Sequence, residues 1–228
     1  MNVVGIDTST KNLVIAVVKD GELVHSTNFF SQRDHAKVIL NLFDEALKAS
    51  GLLLNDLDRF VCGVGPGSFT GLRVGHAFVR GLMKTDDEKV IPVSSFEWIA
   101  YHGTDLSDTV LVVQDAKRDQ LFVSLFKKTE KGLEVALKDQ VLDLNEVEKL
   151  VSENAGLVVT GSGLKRYGET IQSWGNLQLA PEEIWVPRAE DFLKLIADKN
   201  LEQAIPSREL LPNYLRLSDA EENLKDAS

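Results

Sequence analysis

Residues 3–28 read VVGIDTSTKNLVIAVVKDGELVHSTN, and this stretch decides the fold. Two apolar runs, 3–7 and 13–19, flank a polar turn, and the dipeptide Asp20-Gly21 is typical of a tight β-hairpin turn. Residues 22–28 then alternate apolar and polar side chains. The stretch therefore predicts three consecutive strands that pair as a meander.

The same order of elements occurs twice along the chain. After the meander, residues 34–50 carry apolar side chains three and four positions apart, which predicts an amphipathic helix capped by Asp34 and ended by Gly51. A strand, a glycine-rich loop, a helix, another strand and another helix follow. In the first copy we predict these further strands at 59–64 and 90–93 and helices at 71–84 and 94–101. In the second copy we predict strands at 110–115, 120–127, 133–141 and 157–160. The predicted helices of the second copy are 145–151, 164–173 and 188–199.

This repetition predicts an α/β protein with two tandem lobes, each built on a mixed sheet. The polar segment 102–108 is the best boundary between the copies. We therefore expect one lobe at 1–105 and a second at 106–228, the latter ending in an acidic tail. Two joined lobes of this kind enclose a cleft, and clefts between lobes are preferred ligand sites.

Candidate cleft residues come from the turns that follow the first strand of each copy. Turns with hydroxyls and free backbone N–H groups form concavities that suit anions. The same residue types also favour ordinary strand-ending turns, so the functional and the structural interpretations stay open. The residues predicted to line a nucleotide-sized cleft are Asp7, Thr8, Ser9, Gly67, Ser68, Asp115, Gly161 and Gly163.

The glycine-rich stretch GPGSFTGLRVG at 65–75 is the most unusual in the chain. It predicts either an anion site at a helix N-terminus or a turn that allows close packing at Gly71 and Gly75. Ser68 or Thr70 is expected to cap the helix. Its spacing matches neither a phosphate-binding P-loop nor the G-x-S-x-G turn of serine hydrolases.

Charge and composition narrow the function classes. With 25 Lys and Arg against 35 Asp and Glu, the formal net charge is −10, which argues against general nucleic-acid binding, although a local basic patch would be hidden in that total. The apolar runs are far shorter than the roughly 20 residues that a membrane span needs. We expect no signal peptide, and the single Cys62 fits a reducing cytoplasm.

Metal binding is not expected. The four histidines are scattered, and the helix that starts near His35 carries Ile39 where a second ligand, four residues on, would stand.

A set of motifs in fixed order identifies a family. The segments are VVGIDTSTKNLVIAV at 3–17, RDHAKVIL at 33–40, GVGPGSFTGLRVG at 63–75, VSSFEWIA at 93–100, QDAKRDQLF at 114–122 and LPNYLRLSDAE at 211–221. Together they resemble the TsaB family, also called YeaZ, and the resemblance covers nearly the whole chain.

The resemblance implies an actin/Hsp70/sugar-kinase fold with two ribonuclease-H-like lobes. It also implies a non-catalytic scaffold of the complex that makes tRNA N6-threonylcarbamoyladenosine at position 37. In that family the catalytic paralogue is TsaD, which carries a metal-ligand histidine pair, and an ATPase, TsaE, also takes part. The chain is then expected in the cytoplasm, as a homodimer when alone, in contact with tRNA only through the complex. No cofactor is implied, and weak ATP or ADP binding in the cleft stays open.

The same resemblance implies that the first lobe meets the partner. The residues predicted for this surface are His35, Gly71, Leu72, Gly75, His76, Val79 and Met83. Two alternatives remain from the residues alone: a small-molecule kinase or ATPase that uses the cleft between Asp7 and Asp115, and an M22-like peptidase at Ser68. The second hairpin reads Gln114-Asp115-Ala116-Lys117 where the family usually has I-D-A-R, which leaves a nucleotide role for this turn in doubt.

Overall fold

Two sheets with equivalent strand order form the framework of the chain. The computed structural model describes residues 1–31, 34–83, 85, 89–199 and 203–216. The strands are β1 (Asn2–Asp7), β2 (Asn12–Lys19), β3 (Glu22–Phe30), β4 (Arg59–Gly63), β5 (Lys89–Val93), β6 (Thr109–Lys117), β7 (Gln120–Thr129), β8 (Gly132–Asp143), β9 (Val158–Thr160), β10 (Gln178–Leu179) and β11 (Ile205–Pro206). The helices are α1 (His35–Ser50), α2 (Phe69–Leu82), α3 (Ser95–Gly103), α4 (Leu144–Ser152), α5 (Leu164–Gln172) and α6 (Phe192–Ala197).

The duplication expected from the sequence is confirmed by the strand order. The first sheet runs β11-β5-β4-β1-β2-β3, and the second runs β10-β9-β6-β7-β8. In each sheet a three-strand antiparallel meander is extended by two parallel strands on the side of its first strand, and β11 adds to the first sheet as an antiparallel edge strand. The fold class is therefore mixed α/β with two tandem sheets of ribonuclease-H-like order.

The meander forms because the local signals agree with it. Asp7 of β1 pairs with Val14 of β2, so the intervening residues form the turn that faces the other lobe. Asp20 and Gly21 both have positive φ, 52° and 88°, which is the geometry that the Asp-Gly dipeptide adopts at low cost. β1 and β2 are buried on both faces because helices cover the sheet from both sides.

Helix boundaries follow their caps. α1 ends where Gly51 takes the left-handed conformation (φ 63°), as predicted. Asp34 precedes α1, but its side chain accepts hydrogen bonds from Ser31 and Lys37 and caps no backbone N–H, so this part of the prediction is wrong. α2 begins at Phe69, two residues before the predicted start, because the Ser68 hydroxyl accepts a hydrogen bond from the Gly71 N–H.

The end of the described chain returns to the first sheet. Strand β11 pairs antiparallel with β5, and Phe192 of α6 stacks on Trp98 with ring centroids 5.3 Å apart. Residues 188–199 and 203–210, which the sequence predicts to be part of the second lobe, therefore pack on the first sheet. Sequence patterns missed β10 and β11 because two-residue strands carry no periodicity.

Some predicted features lie outside the described residues, namely the end of the second helix at residue 84 and the acidic tail from residue 217 onward. None of the helices in the described ranges is long and apolar enough to cross a membrane.

Backbone geometry generates a first prediction, on two glycines with open space around them. A Cβ at Gly21 or Gly81 meets nothing within 4 Å, but only Gly21 has a positive φ. Gly21→Ala should lower the free energy of unfolding by about 1 kcal/mol through strain, whereas Gly81→Ala, inside α2, should raise it by about 0.5 kcal/mol. Urea unfolding of both variants measures this, and a loss of stability in Gly81→Ala would contradict the assignment.

Candidate functional site

A cavity of about 1090 Å³ lies between the two lobes. Its walls come from the β1–β2 turn, the glycine-rich loop, the β6–β7 hairpin and the segment 213–216. Four of the predicted cleft residues line it, namely Ser9, Gly67, Ser68 and Asp115. The other four predicted residues, Asp7, Thr8, Gly161 and Gly163, are not part of the lining and hold the walls in place.

Asp7 is buried beneath the cavity wall. Its carboxylate accepts hydrogen bonds from the Ser9 N–H (2.8 Å) and hydroxyl (2.7 Å) and from the Ser95 hydroxyl (2.5 Å). Ser95 in turn accepts from the Gly65 N–H at 3.1 Å. Burial raises the pKa of Asp7 above its ordinary value, against the opposing effect of these hydrogen bonds. The carboxylate therefore links β1 to the start of α3 and to the glycine-rich loop, and it does not face a ligand in the cavity.

The glycines of the loop are required by the β1–β2 turn. A Cβ at Gly67 would lie 2.3 Å from the Ser9 carbonyl oxygen, and one at Gly71 would lie 2.1 Å from that of Thr8. A Cβ at Gly75 would lie 2.3 Å from the Thr8 hydroxyl, which donates a hydrogen bond to the Gly71 carbonyl. The spacing of the three glycines therefore matches the positions at which the β1–β2 turn contacts the glycine-rich loop and the first two helical turns of α2.

Gly161 and Gly163 have the corresponding role in the second lobe. Gly161 has φ 108°, and a Cβ there would lie 2.2 Å from the Val113 carbonyl oxygen. The Gly163 N–H donates to the same oxygen at 3.0 Å. These glycines bring the loop after β9 against β6, and Ser162 between them reaches the cavity.

The predicted partner surface is corrected by burial. Six of its seven residues are buried. Five of them lie on the face of α2 that packs on the β1–β2 turn and the first sheet, and the sixth, His35, is the buried first residue of α1. Those six are His35, Gly71, Leu72, Gly75, His76 and Val79, while Met83 is half-buried.

The segment after β11 supplies cavity residues that sequence reasoning did not assign. The Tyr214 ring stacks on Phe69 with centroids 4.6 Å apart, and the Arg73 guanidinium lies 3.9 Å from the Phe69 centroid. Arg73 also donates to the Tyr214 hydroxyl at 3.3 Å. In the sequence, Pro-Asn-Tyr-Leu-Arg at 212–216 is part of a motif that marks the family. The structure shows that this motif also supplies the contact with Phe69 and Arg73.

This segment connects the lobes. The Asn213 N–H donates to the Val64 carbonyl in the first lobe (2.7 Å), and its side-chain amide donates to Asp139 in the second (3.0 Å). Arg216 donates to the Gln120 side chain at 2.6 Å and to the Ala116 carbonyl. Burial raises the pKa of Asp139, which also receives a hydrogen bond from Ser94 of the first lobe.

The cavity lining carries more basic than acidic side chains, although the chain as a whole has a negative net charge. Its lining holds two carboxylates, Asp115 and Glu182, and neither comes from the first lobe as far as the chain is described. Against them stand six basic side chains: Lys11, Arg73, Lys117, Arg118, Lys165 and Arg216. A chain of formal charge −10 thus concentrates positive charge at its inter-lobe cleft.

The buried Nε2 of His35 has no hydrogen-bond partner within the described ranges. Burial lowers the pKa of His76, whose Nδ1 lies 2.7 Å from the Leu72 carbonyl oxygen. Among the residues that the structure describes, no three His, Cys, Asp or Glu side chains are grouped so as to hold a metal ion.

Comparisons with known proteins give one consistent result. The family model described as TsaD, tRNA N6-adenosine threonylcarbamoyltransferase, matches residues 29–167, more than half of the chain. The chain is 31% identical to the tRNA threonylcarbamoyladenosine biosynthesis protein TsaB of Haemophilus influenzae, over 95% of this chain and 94% of that protein. Identity to the TsaB of Bacillus subtilis is 26%, over 97% and 96%. YeaZ from Pseudomonas aeruginosa superposes with a TM-score of 0.82 at 25% identity, over 94% of this chain and 99% of that one.

The contact between Thr8 and α2 generates a double-mutant prediction. Gly75→Ala should lower the free energy of unfolding by about 1–3 kcal/mol, although alanine normally favours a helix. In a Thr8→Ala background that cost should fall, because the clashing hydroxyl is gone. Gly71→Ala is the matched control, since its clash is with the Thr8 backbone oxygen and should persist. Equal costs of Gly75→Ala in both backgrounds, measured by urea unfolding, would contradict the contact.

Burial of Asp7 generates a pH prediction. The unfolded chain releases this proton near pH 3.8, whereas the folded chain retains it to higher pH, so the stability due to Asp7 falls as pH rises through that window. Asp7→Asn has no such proton. The unfolding free energy of the wild type minus that of Asp7→Asn should therefore decrease as pH rises from 4 upward. Denaturant unfolding at a series of pH values measures the difference, and an increase would contradict the raised pKa.

Proposed function

Because the chain belongs to the TsaB family of tRNA threonylcarbamoyladenosine biosynthesis proteins, we propose that it is a non-catalytic subunit of the threonylcarbamoyl-transfer complex. Participation in this biosynthesis is what the family membership establishes. The finer proposal is that the chain works in the cytoplasm as a scaffold for a TsaD-type catalytic paralogue, together with a TsaE-type ATPase, and forms a homodimer when alone.

The position of Asp7 carries the non-catalytic part of the proposal. A cleft kinase or ATPase needs carboxylates that face the ligand to hold metal ions and to orient the attacking group. Asp7 is instead 1% exposed and bound to Ser9 and Ser95. Asp115 does line the cavity, but its carboxylate lies 3.3 Å from the Lys117 ammonium. Ser68, the residue a peptidase would use, has its hydroxyl at the N-terminus of α2 as a cap. Neither arrangement favours independent catalysis.

The partner surface we propose lies beside the buried face of α1 and α2. Its side chains recur every four residues on each helix and are half-buried against the core of the first lobe. They are Val38 and Leu42 of α1 and Val74, Phe78 and Leu82 of α2. Phe78 meets Phe43 edge to face, with ring centroids 5.4 Å apart, so the two helices are in contact.

A paralogue suits such a surface. The TsaD family model matches residues 29–167, a range that includes both α1 and α2. A protein with the same two helices can present an equivalent pair of apolar rows, and the two chains can then pair with near-twofold symmetry. A second copy of this chain would use the same rows, which accounts for a homodimer in the absence of the paralogue. A stable interface needs roughly 800 Å² per partner, which two adjacent helices provide.

This proposal generates a prediction for reconstitution. The purified chain alone should modify no tRNA, and modification should require added TsaD and TsaE. Val74→Asp should weaken binding to TsaD by at least about tenfold, because a carboxylate would be buried without a partner. Val135→Asp on β8, at a side chain that is 49% exposed, is the matched control and should bind normally.

Light scattering with and without TsaD measures the association, and circular dichroism checks that both variants fold. Modification of tRNA by the chain alone would refute the scaffold role. Equal loss of binding in Val74→Asp and Val135→Asp would refute the proposed surface and leave the scaffold role standing.

A further inference from the structure

We propose that the inter-lobe cavity binds a single-stranded segment of RNA, through phosphate contacts and base stacking that need no metal ion. The inference rests on the proposed function only for the source of the RNA, which would be the substrate tRNA held by the assembled complex. The tRNA would then reach this chain within the complex, and the cavity would supply one of its contacts.

Charge is the first argument. Lys11 lies 3.3 Å from Glu182, and Lys117 lies 3.3 Å from Asp115. Within the part of the lining that the structure describes, six basic side chains stand against these two carboxylates. Positive side chains that follow a groove are the electrostatic feature with which proteins bind a nucleic-acid backbone. An acidic chain that collects its cations at one cleft is suited to a local phosphate contact and not to general binding of nucleic acid.

Stacking is the second argument. Tyr214 covers one face of Phe69, yet 40% of its surface remains exposed at the cavity. Arg73 packs on the same Phe69 ring, so a guanidinium plane lies next to the aromatic pair. Aromatic rings beside cations are where unpaired bases stack, at about 1–3 kcal/mol per base.

Backbone strain at the β6–β7 hairpin is the third argument. Lys117, Arg118 and Asp119 have φ of 64°, 53° and 56°, a left-handed region that costs energy in side-chain-bearing residues. Asn-Gly or Asp-Gly adopts such a turn more easily, and the β2–β3 hairpin of this chain uses Asp20-Gly21. The second hairpin instead has Lys117 and Arg118 in a conformation that side-chain-bearing residues disfavour. A requirement for positive charge at the cavity explains why these two residues stand there.

The chemistry of the lining favours RNA over a magnesium-bound nucleotide. The cavity volume of about 1090 Å³ lies at the upper end of the roughly 300–1000 Å³ of ordinary small-ligand pockets, so the charged groups decide between the two. The buried Asp7 offers no oxygen to a metal ion in the cavity, and the two carboxylates of the lining, Asp115 and Glu182, each lie 3.3 Å from a lysine ammonium. Phosphate charge would therefore be balanced by arginine and lysine from both lobes, as in proteins that bind single strands.

The test is fluorescence anisotropy of the full-length chain with a labelled single-stranded RNA of about 12 nucleotides. Unlabelled tRNA, AMP and ATP with Mg²⁺ serve as competitors. We expect log K to fall linearly with log salt between about 50 and 200 mM. The variant Arg118→Gln/Lys165→Gln should bind at least about tenfold more weakly and reduce the salt slope by about 1.4, from two lost contacts at 0.7 each.

The matched control is Lys127→Gln/Lys128→Gln, which removes the same charge from exposed positions of β7. Lys128 is eight residues along the strand from Gln120, about 25 Å away, so its variant should lose less than twofold. Equal loss in both variants would mean non-specific attraction and would overturn the proposal. Competition by AMP or ATP as strong as that by RNA would overturn it in favour of a mononucleotide site.

The assembled complex gives the remaining outcomes. Reconstituted with TsaD and TsaE, the cleft variant should still bind TsaD in light scattering but hold tRNA more weakly than the control variant does. Unchanged tRNA binding in the complex, together with no RNA binding by the chain alone, would overturn the inference while the scaffold role stands. If the wild-type chain did not bind TsaD, that result would instead overturn the proposed function.

Discussion

The close approach of residues 8 and 9 to the glycine-rich loop is the contact on which the rest of the structure depends. It requires glycine at three positions, 67, 71 and 75, because a Cβ at any of them would overlap the β1–β2 turn. Beneath the same turn, Asp7 joins β1 to α3 through Ser95. The contact positions α2 on the first sheet and shapes the first-lobe wall of the cavity.

The motif that identifies the family therefore has a structural explanation in this chain. Anion binding at the N-terminus of α2 was an open interpretation of the sequence, and Ser68 at the cavity is compatible with it. The glycines themselves, however, are explained by backbone packing. Asp7, one of the two carboxylates on which the kinase or ATPase alternative depends, is part of that packing, and this position supports the proposed partner role.

Net charge alone gave an incomplete view of what the chain can bind. The total of −10 argued against nucleic acid, yet the cleft collects six basic side chains from segments far apart in sequence. Lys11 follows β1, Lys165 lies in α5 and Arg216 comes after β11. No window of the sequence contains more than a few of them, so a basic patch of this kind appears only when the lobes are assembled.

The sequence by itself determined the duplicated meander, the hairpin at Asp20-Gly21 and the end of α1 at Gly51, because these depend on local periodicity and backbone preference. It left the cap of α2 open between Ser68 and Thr70, and the structure selects Ser68. Only the tertiary structure decided which residues face the cavity, that the face of α2 with Leu72 and Val79 is buried, and that residues 188–199 and 203–210 pack on the first sheet. These depend on contacts between residues distant in the chain, and the close approaches that select them leave no periodic pattern in the sequence.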